Sequence, residues 1–348
     1  MGIARFTIEV RPPFRLDLTV WALRRRPHNT IDAWDGTTYM RTLLAEGTPL
    51  LVAVRQEPDG ESRPVRLGVE LRGRGEAPSE TAAAEVRRTI ERMLGLGVDL
   101  AGFYELATAD VRLAGLARRF LGVRPPRFAS VLEALINAVA CQQLSLTVGI
   151  HLLDRLAAVY GPEVALRGAT PGFPTAERLA AAEPSHLRRL GFSLAKARTL
   201  IEVSRRAASG SLDVEGLAQA DDEYATAALV ALPGIGRWSA EYVLLRGLGR
   251  LGILPGDDVG ARANLRRRFE LSASAGYDEV AALAKGWWPY GGLVYFHFLL
   301  DALARAGHLE AAAPEPLAAD PASPRTFPAQ SVSGRPAAPA RLDAGGIA

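Results

Sequence analysis

The sequence predicts an α+β protein in which a small antiparallel sheet is followed by an all-helical region. Two observations carry this prediction. Before about residue 110, short segments alternate apolar and polar residues, as the strands of a half-buried sheet do. After residue 111, apolar residues recur every three or four positions, which is typical of packed helices. We therefore predict an N-terminal α/β domain over residues 1–110 and a helical domain over residues 111–310.

Four segments of the N-terminal part are predicted to be strands: 6–10, 38–40, 50–54 and 65–71. The tripeptide Pro58-Asp59-Gly60 is typical of a turn, so the last two strands are predicted to form a hairpin. Short connections favour antiparallel pairing. An amphipathic helix follows over residues 80–94, because apolar residues recur there at helical spacing.

The helical part begins with a short helix over residues 113–121, which Pro125-Pro126 ends. Ser130 is placed to cap a helix that runs through Cys141. An apolar closing helix is predicted over residues 293–306. Residues 311–348 are rich in Ala, Pro, Ser and Gly and contain few large apolar residues, so we predict a disordered tail there.

The composition is that of a globular protein, since 48% of the 348 residues are hydrophobic and 23% are charged. No apolar run reaches the roughly 20 residues of a membrane span, and the N-terminus lacks the apolar stretch of a signal peptide. A cytoplasmic location is therefore expected. The single Cys141 excludes an intramolecular disulfide and an all-cysteine cluster, and is expected to be buried. The five histidines show no ligand spacing, so we predict no zinc or catalytic metal.

Arginines are clustered, although the net charge is only +3. Five arginines and no acidic residue lie between Arg112 and Arg127. A second cluster comprises Arg262, Arg266, Arg267 and Arg268. Such clusters favour a nucleic-acid partner through a one-sided positive field, with solvated helix faces as the alternative.

The stretch LPGIGRWSA, residues 232–240, predicts a tight hairpin between two helices. Pro233 cannot continue the preceding helix, and Gly234 and Gly236 allow a sharp reversal. Helical character resumes at Arg237. Exposed amides at the start of a helix suit a phosphate oxygen, so the hairpin is a candidate grip for a nucleic-acid backbone.

The residues LPGIGRWSAEYVLLRGLG, followed by LPGDDVGARANLRRRF, resemble the helix-hairpin-helix and Gly/Pro-loop-Asp signature of the base-excision DNA glycosylase superfamily. More narrowly, they are similar to the 3-methyladenine DNA glycosylase II family, and the resemblance covers roughly residues 112–308. It implies an α/β domain before a helical glycosylase core, duplex DNA with damaged bases as partner, and a monomer. It also implies a monovalent cation, Na⁺ or K⁺, on the carbonyls of Val230, Leu232 and Gly234. No other cofactor is expected, and an iron–sulfur cluster is excluded.

The resemblance assigns the chemistry to the second aspartate of the Asp257-Asp258 pair. A carboxylate stabilises the positive charge that builds on the sugar as the base leaves, and it can orient water. For Asp257 a loop hydrogen bond or helix cap is the favoured role. Relatives with lyase activity have a lysine just after the hairpin, where its amine forms a Schiff base. This chain has Trp238 there, which implies a monofunctional, water-using enzyme.

The resemblance also suggests residues that contact the base and the duplex. Trp238 and Tyr242, one helical turn apart, are predicted to line an aromatic base pocket that Trp21 completes, each with a core position as its alternative. Gln143 and Leu144 match the wedge that fills the place of a flipped base, with helix-end packing as the alternative for Leu144. Backbone contacts to DNA are assigned to Gly234, Ile235, Gly236 and Arg237. An aromatic position on the family's last helix is Leu299 here.

Together these features predict a monofunctional glycosylase that flips alkylated bases of the 3-methyladenine type out of duplex DNA and hydrolyses the N-glycosidic bond, in base excision repair. Two alternatives stay open from the sequence. One is a glycosylase for oxidised or deaminated bases. The other is a non-catalytic DNA-binding protein that uses the hairpin alone, with Asp258 as a helix cap.

Overall fold

An antiparallel sheet packs against helices in this computed structural model, which describes residues 1–57, 64–164, 166 and 168–309. The strands are β1 (Gly2–Val10), β2 (Ala33–Trp34), β3 (Thr38–Ala45), β4 (Thr48–Gln56) and β5 (Val65–Gly73). Their order is β1-β5-β4-β3-β2, and each pair is antiparallel, with Val54 opposite both Tyr39 and Val69. The predicted fold class is confirmed. The predicted turn at Pro58-Asp59-Gly60 lies outside the described residues.

The helices have the following bounds: α1 (Leu16–Arg24), α2 (Glu80–Met93), α3 (Ala101–Ala109), α4 (Val111–Arg119), α5 (Val131–Cys141), α6 (Leu146–Tyr160), α7 (Ala176–Ala180), α8 (Pro184–Arg189), α9 (Leu194–Ala208), α10 (Val214–Gln219), α11 (Asp222–Val230), α12 (Arg237–Val243), α13 (Val259–Phe269), α14 (Tyr277–Lys285) and α15 (Gly291–Arg305). A π-helical turn, Leu244–Leu248, continues α12. The prediction missed α3 and α10. A helix of six residues such as α10 spans too few turns to show a clear apolar period.

One hydrophobic cluster joins the sheet to the helices. It includes Val52 of β4 and Leu67 of β5 together with Leu135 of α5, Leu200 of α9 and Val243 of α12, all buried. The sheet therefore helps to set the position of α5 and α12, which carry or adjoin the site described below.

A buried ion-pair network fixes α5 against the sheet. Arg41 of β3 donates to Oδ1 of Asp32 at 2.7 Å and to Oε2 of Glu133 on α5 at 2.6 Å. Breaking such a buried network costs about 3–5 kcal/mol, since a charge is left without its partner. The Ser130 hydroxyl caps α5 by accepting the N–H of Glu133, which confirms the predicted start of this helix.

All described residues lie in a compact unit that spans Met1–Ala313. The proposed domain boundary near residue 110 stays a prediction, and the proposed tail, residues 311–348, lies outside the described part of the chain. No helix among the described residues has the length and apolar character needed to cross a membrane. Cys141, the last residue of α5, is half-buried, whereas a buried position was expected. Burial raises the pKa of its thiol.

Candidate active site and nucleic-acid interface

The predicted hairpin joins α11 to α12. Gly234 has φ +80°, and a Cβ there would lie 2.1 Å from Oγ1 of Thr199, so the turn requires glycine. The N–H of Ile235 donates to the carbonyl of Leu232 at 3.1 Å, and its side chain is buried. The amide of Ile235 is therefore already used within the turn. Gly236 caps α12, and a Cβ there would meet open space.

Arg237 connects the hairpin to the loop before α13. Its guanidinium pairs with Oδ2 of Asp257 at 3.0 Å and lies 3.5 Å over the ring of Tyr277. Arg262 pairs with the other oxygen of Asp257 at 2.9 Å. Asp257 thus holds the loop in place, as its favoured interpretation predicted. The Arg237 side chain remains about half exposed, at 50%.

A second set of contacts fixes the glycine of this loop. Glu241 of α12 accepts from the N–H of Gly256 at 3.1 Å and from the hydroxyl of Tyr277 at 2.5 Å. A Cβ at Gly256 would lie 2.7 Å from the Tyr277 ring, so the close approach requires glycine. Burial raises the pKa of Glu241. These contacts hold the loop that precedes Asp258 against α12 and α14.

Asp258 directly precedes α13 and contacts two aromatic side chains. Its Oδ1 accepts the N–H of Ala261 at 2.8 Å, so it is the N-cap of that helix. Its Oδ2 accepts from Nε1 of Trp238 at 3.3 Å and lies 3.5 Å from the hydroxyl of Tyr295. Burial raises the pKa of the Asp258 carboxyl, against these hydrogen bonds, which favour the ionised form. Asp258 therefore caps α13 with one oxygen and contacts Trp238 and Tyr295 with the other.

Trp238 and Tyr242 stack with ring centroids 5.3 Å apart and planes 28° from parallel. Tyr242 is only 3% exposed, whereas Trp238 is half-buried. The Tyr242 hydroxyl accepts from Arg25 at 2.7 Å, and Arg25 also donates to Oδ1 of Asn137 at 2.6 Å. Of the two rings, Trp238 is the one with exposed surface, and Tyr242 supports it from behind.

Trp21 is not brought into this stack. It lies on α1, where its ring stacks on His308 with centroids 6.1 Å apart and has the Arg24 guanidinium 5.0 Å above it. Among the described residues, the rings of Trp238 and Tyr242 do not stack on it. A part for Trp21 in the pocket stays a prediction that this arrangement does not support.

The proposed wedge lies between α5 and α6. Gln143 has φ +52°, and the Leu144 side chain is 43% exposed, which does not fit the alternative of helix-end packing. The neighbouring Gln142 donates through Nε2 to the carbonyl of Gly234 and to Oγ of Ser239, both at 2.9 Å. Nζ of Lys196 donates to the Gln142 carbonyl at 2.6 Å. The wedge segment is therefore attached to the hairpin.

The carbonyls proposed for a monovalent cation are those of Val230, Leu232 and Gly234. The Leu232 oxygen accepts the N–H of Ile235, and the Gly234 oxygen accepts the Gln142 amide. A carbonyl oxygen has two lone pairs, so each retains one for an ion. The donor set fits Na⁺ or K⁺, and the cation stays a prediction.

Several residues around the site escaped the sequence analysis: Arg25, Asn137, Gln142, Glu241, Tyr277 and Tyr295. One signal was present for Tyr295. It precedes Leu299, the position of the family's aromatic residue, by four residues, so both lie on one face of α15. Tyr295 is thus an aromatic residue that α15 places beside Asp258.

Comparison with known proteins gives one family match and several similar proteins. Residues 136–290 match the family model of the HhH-GPD superfamily of base excision DNA repair proteins. DNA-3-methyladenine glycosylase of Bacillus subtilis is 31% identical over 204 residues, covering 58% of this chain and 67% of that protein. DNA-3-methyladenine glycosylase 2 of Escherichia coli is 27% identical over 293 residues, covering 84% and 95%. The solved 3-methyladenine DNA-glycosylase of Archaeoglobus fulgidus superposes with a TM-score of 0.74 at 26% identity, covering 88% of this chain and 100% of that one.

Proposed function

This chain belongs to the HhH-GPD superfamily of base excision DNA repair proteins, and we propose that it is a monofunctional DNA glycosylase for alkylated bases. It hydrolyses the N-glycosidic bond between a damaged base and its sugar. The relatives named for 3-methyladenine support the substrate class. We further propose that it acts as a cytoplasmic monomer on duplex DNA.

The contact between Asp258 and Trp238 carries this proposal. It places a carboxylate beside a partly exposed aromatic face, directly behind the hairpin. An alkylated purine carries positive charge, which the face of an indole attracts. As the base leaves, the ionised carboxylate stabilises positive charge on the sugar and orients the attacking water. The N-terminal end of α13 favours the ionised form of Asp258.

A lyase reaction lacks its nucleophile in this arrangement. The chain has two lysines, Lys196 and Lys285. The amine of Lys196 is held by the carbonyls of Ala140 and Gln142, and Lys285 ends α14. Neither occupies the position after the hairpin, where Trp238 stands. The proposed product is therefore an abasic site in an unbroken strand.

DNA binding in this proposal uses the two segments that Gln142 connects. The hairpin N–H groups of Gly236 and Arg237 donate to a phosphate oxygen, while Leu144 enters the duplex to fill the space of the flipped base. The exposure of Leu144 and the open space at Gly236 support both contacts. Filling that space offsets part of the unstacking cost of a few kcal/mol.

The decisive experiment measures single-turnover base release by wild type, Asp258→Asn and Asp257→Asn. Substrates are methylated duplex DNA and duplexes with one ethenoadenine, hypoxanthine or 8-oxoguanine, each assayed with and without alkali. We expect wild type to release methylated purines, with strand breaks only after alkali. Asp258→Asn should lower the rate by about 10²–10⁴-fold. Asp257→Asn, the matched control, keeps an oxygen for Arg237 and Arg262 and should lower the rate far less than Asp258→Asn does.

Other outcomes separate the alternatives. Faster release of 8-oxoguanine or hypoxanthine than of methylated purines would assign the protein to oxidised or deaminated bases. Duplex binding without any base release would support a DNA-binding module. Strand breaks without alkali, or covalent trapping by borohydride, would rule out the monofunctional mechanism.

A further inference from the structure

A cluster of possible metal ligands lies outside the glycosylase site. His28, in the segment after α1, meets His151 and Asp154 of α6, and one ligand atom from each lies within 4.8 Å of the other two. His151 and Asp154 are three residues apart, so they share one face of the helix. The histidines show no ligand spacing in the sequence because His28 comes from a different segment of the chain.

The carboxylate of this cluster is already oriented. Oδ1 of Asp154 accepts both the N–H and the hydroxyl of Thr30, each at 2.9 Å. Hydrogen bonds of this kind typically orient the ligands of metal sites and tune their affinity. They fix one carboxylate oxygen and leave the other for an ion.

One imidazole nitrogen of this cluster is left without a partner in the part of the chain that the structure describes. Nε2 of His28 is buried and has no hydrogen-bond partner among the described residues. The rings of His28 and His151 stack with centroids 3.9 Å apart and planes 17° from parallel. A neutral ring with a free lone pair is the form that binds a metal.

We propose that His28, His151 and Asp154 bind one divalent transition-metal ion, with Zn²⁺ as the best match. Two imidazoles and one carboxylate are a common set for an ion that keeps a further position for water. Ligand bonds of about 2.0–2.1 Å place the ligand atoms roughly 3.3 Å apart in a tetrahedron. Binding therefore requires the exposed ring of His151 to turn out of the stack toward His28 Nε2.

Such an ion would connect two segments that flank the glycosylase site. The segment after α1 begins with Arg25, which supports Tyr242, and α6 begins directly after the wedge. Arg26 already donates to Oγ1 of Thr147 on α6 at 3.0 Å. The ion would add a stronger connection at the same place, and its role is to stabilise this junction rather than to take part in base release.

The test is titration of the full chain, without a polyhistidine tag, by Zn²⁺ in a calorimeter and by Co²⁺ followed through its visible absorption. We expect one ion per chain and a rise in the melting temperature with added Zn²⁺. His151→Ala and Asp154→Asn should each weaken binding by about tenfold or more. Asp154→Asn retains an oxygen that can accept from Thr30, so it should still fold. His186→Ala, which removes an exposed histidine of α8, is the matched control and should bind as wild type does.

Binding that persists unchanged in His151→Ala and Asp154→Asn would overturn the proposal, because the ion would then be held elsewhere. So would the absence of heat and of a Co²⁺ spectrum with the wild type. Circular dichroism of each variant establishes that it is folded. Base-release activity is not the readout, so failure here leaves the proposed glycosylase activity standing.

Discussion

The indole Nε1 of Trp238 lies 3.3 Å from Oδ2 of Asp258, on the side of that carboxylate which does not cap α13. This contact connects the first turn of α12 to the N-cap of α13. In the proposed enzyme, this contact joins the residue that recognises the base to the residue that stabilises the sugar cation.

Trp238→Phe tests the contact, because it keeps an aromatic face and removes the donor. We expect the single-turnover rate of base release to fall about tenfold, which corresponds to roughly 1.4 kcal/mol, with little loss of duplex affinity. Quenched-flow assays on methylated DNA measure the rate. Trp288→Phe is the control, since Trp288 is 72% exposed and should have no effect. An undiminished rate in Trp238→Phe would show that the hydrogen bond does not matter to the chemistry.

The raised pKa of Asp258 predicts a pH dependence of stability. Its ordinary value is 3.8, and burial moves it upward in the folded state. Between these two pKa values the folded protein binds more protons than the unfolded protein. The contribution of this carboxyl to the free energy of unfolding is therefore full below pH 3.8 and is lost as the pH rises through the raised pKa. Asp258→Asn does not titrate, and its amide oxygen can still cap α13.

We therefore expect Asp258→Asn to be at least as stable as wild type at neutral pH, with the difference shrinking toward pH 4. Urea unfolding of both proteins at several pH values measures the free energy of unfolding. A variant that is clearly less stable at neutral pH would show that the ionised carboxylate stabilises the fold.

Gly236→Asp separates DNA binding from folding. A side chain at this position enters open space, and Asp is a favoured N-cap, so the fold should be as stable as in wild type. Duplex affinity should fall tenfold or more at low salt, because a negative charge would face the phosphate. Fluorescence anisotropy gives the affinity. Gly236→Asn is the control of nearly equal size and should retain most of it, whereas an equal loss in both variants would indicate a steric cause.

Tyr242→Phe tests whether this residue supports Trp238 or contacts the base. The change leaves the stacked ring and removes a hydrogen bond to the buried Arg25, so the free energy of unfolding should drop by about 1–3 kcal/mol. The rate of base release per folded molecule should stay close to that of wild type. Tyr224→Phe, at a 65% exposed position, should change neither quantity. A large loss of rate at unchanged stability would instead place the Tyr242 hydroxyl in contact with substrate.

Features that are local in the chain could be predicted from the sequence. The hairpin is one, since Pro233 and Gly234 determine the turn within a few residues. The cap of α5 by Ser130 is another. Asp258 follows the hairpin by a fixed short interval, so the resemblance could assign it. The structure adds its hydrogen bond to Trp238.

Contacts between distant segments could not be predicted. Arg25, Asn137 and Tyr242 come from three different parts of the chain, and only tertiary packing brings them into one hydrogen-bonded group. The amide of Ile235 is a smaller example. Its motif suggests a phosphate contact, but the turn geometry directs that N–H to Leu232.

The amide of Gln142 has a mechanical consequence. It bridges the Gly234 carbonyl and Ser239, so the segment that ends in Leu144 and the hairpin cannot shift independently without breaking two hydrogen bonds. A strand held at the hairpin would then meet Leu144 at a set spacing. In the proposed enzyme this spacing fixes the distance along the strand between the phosphate bound at the hairpin and the position at which the duplex is opened.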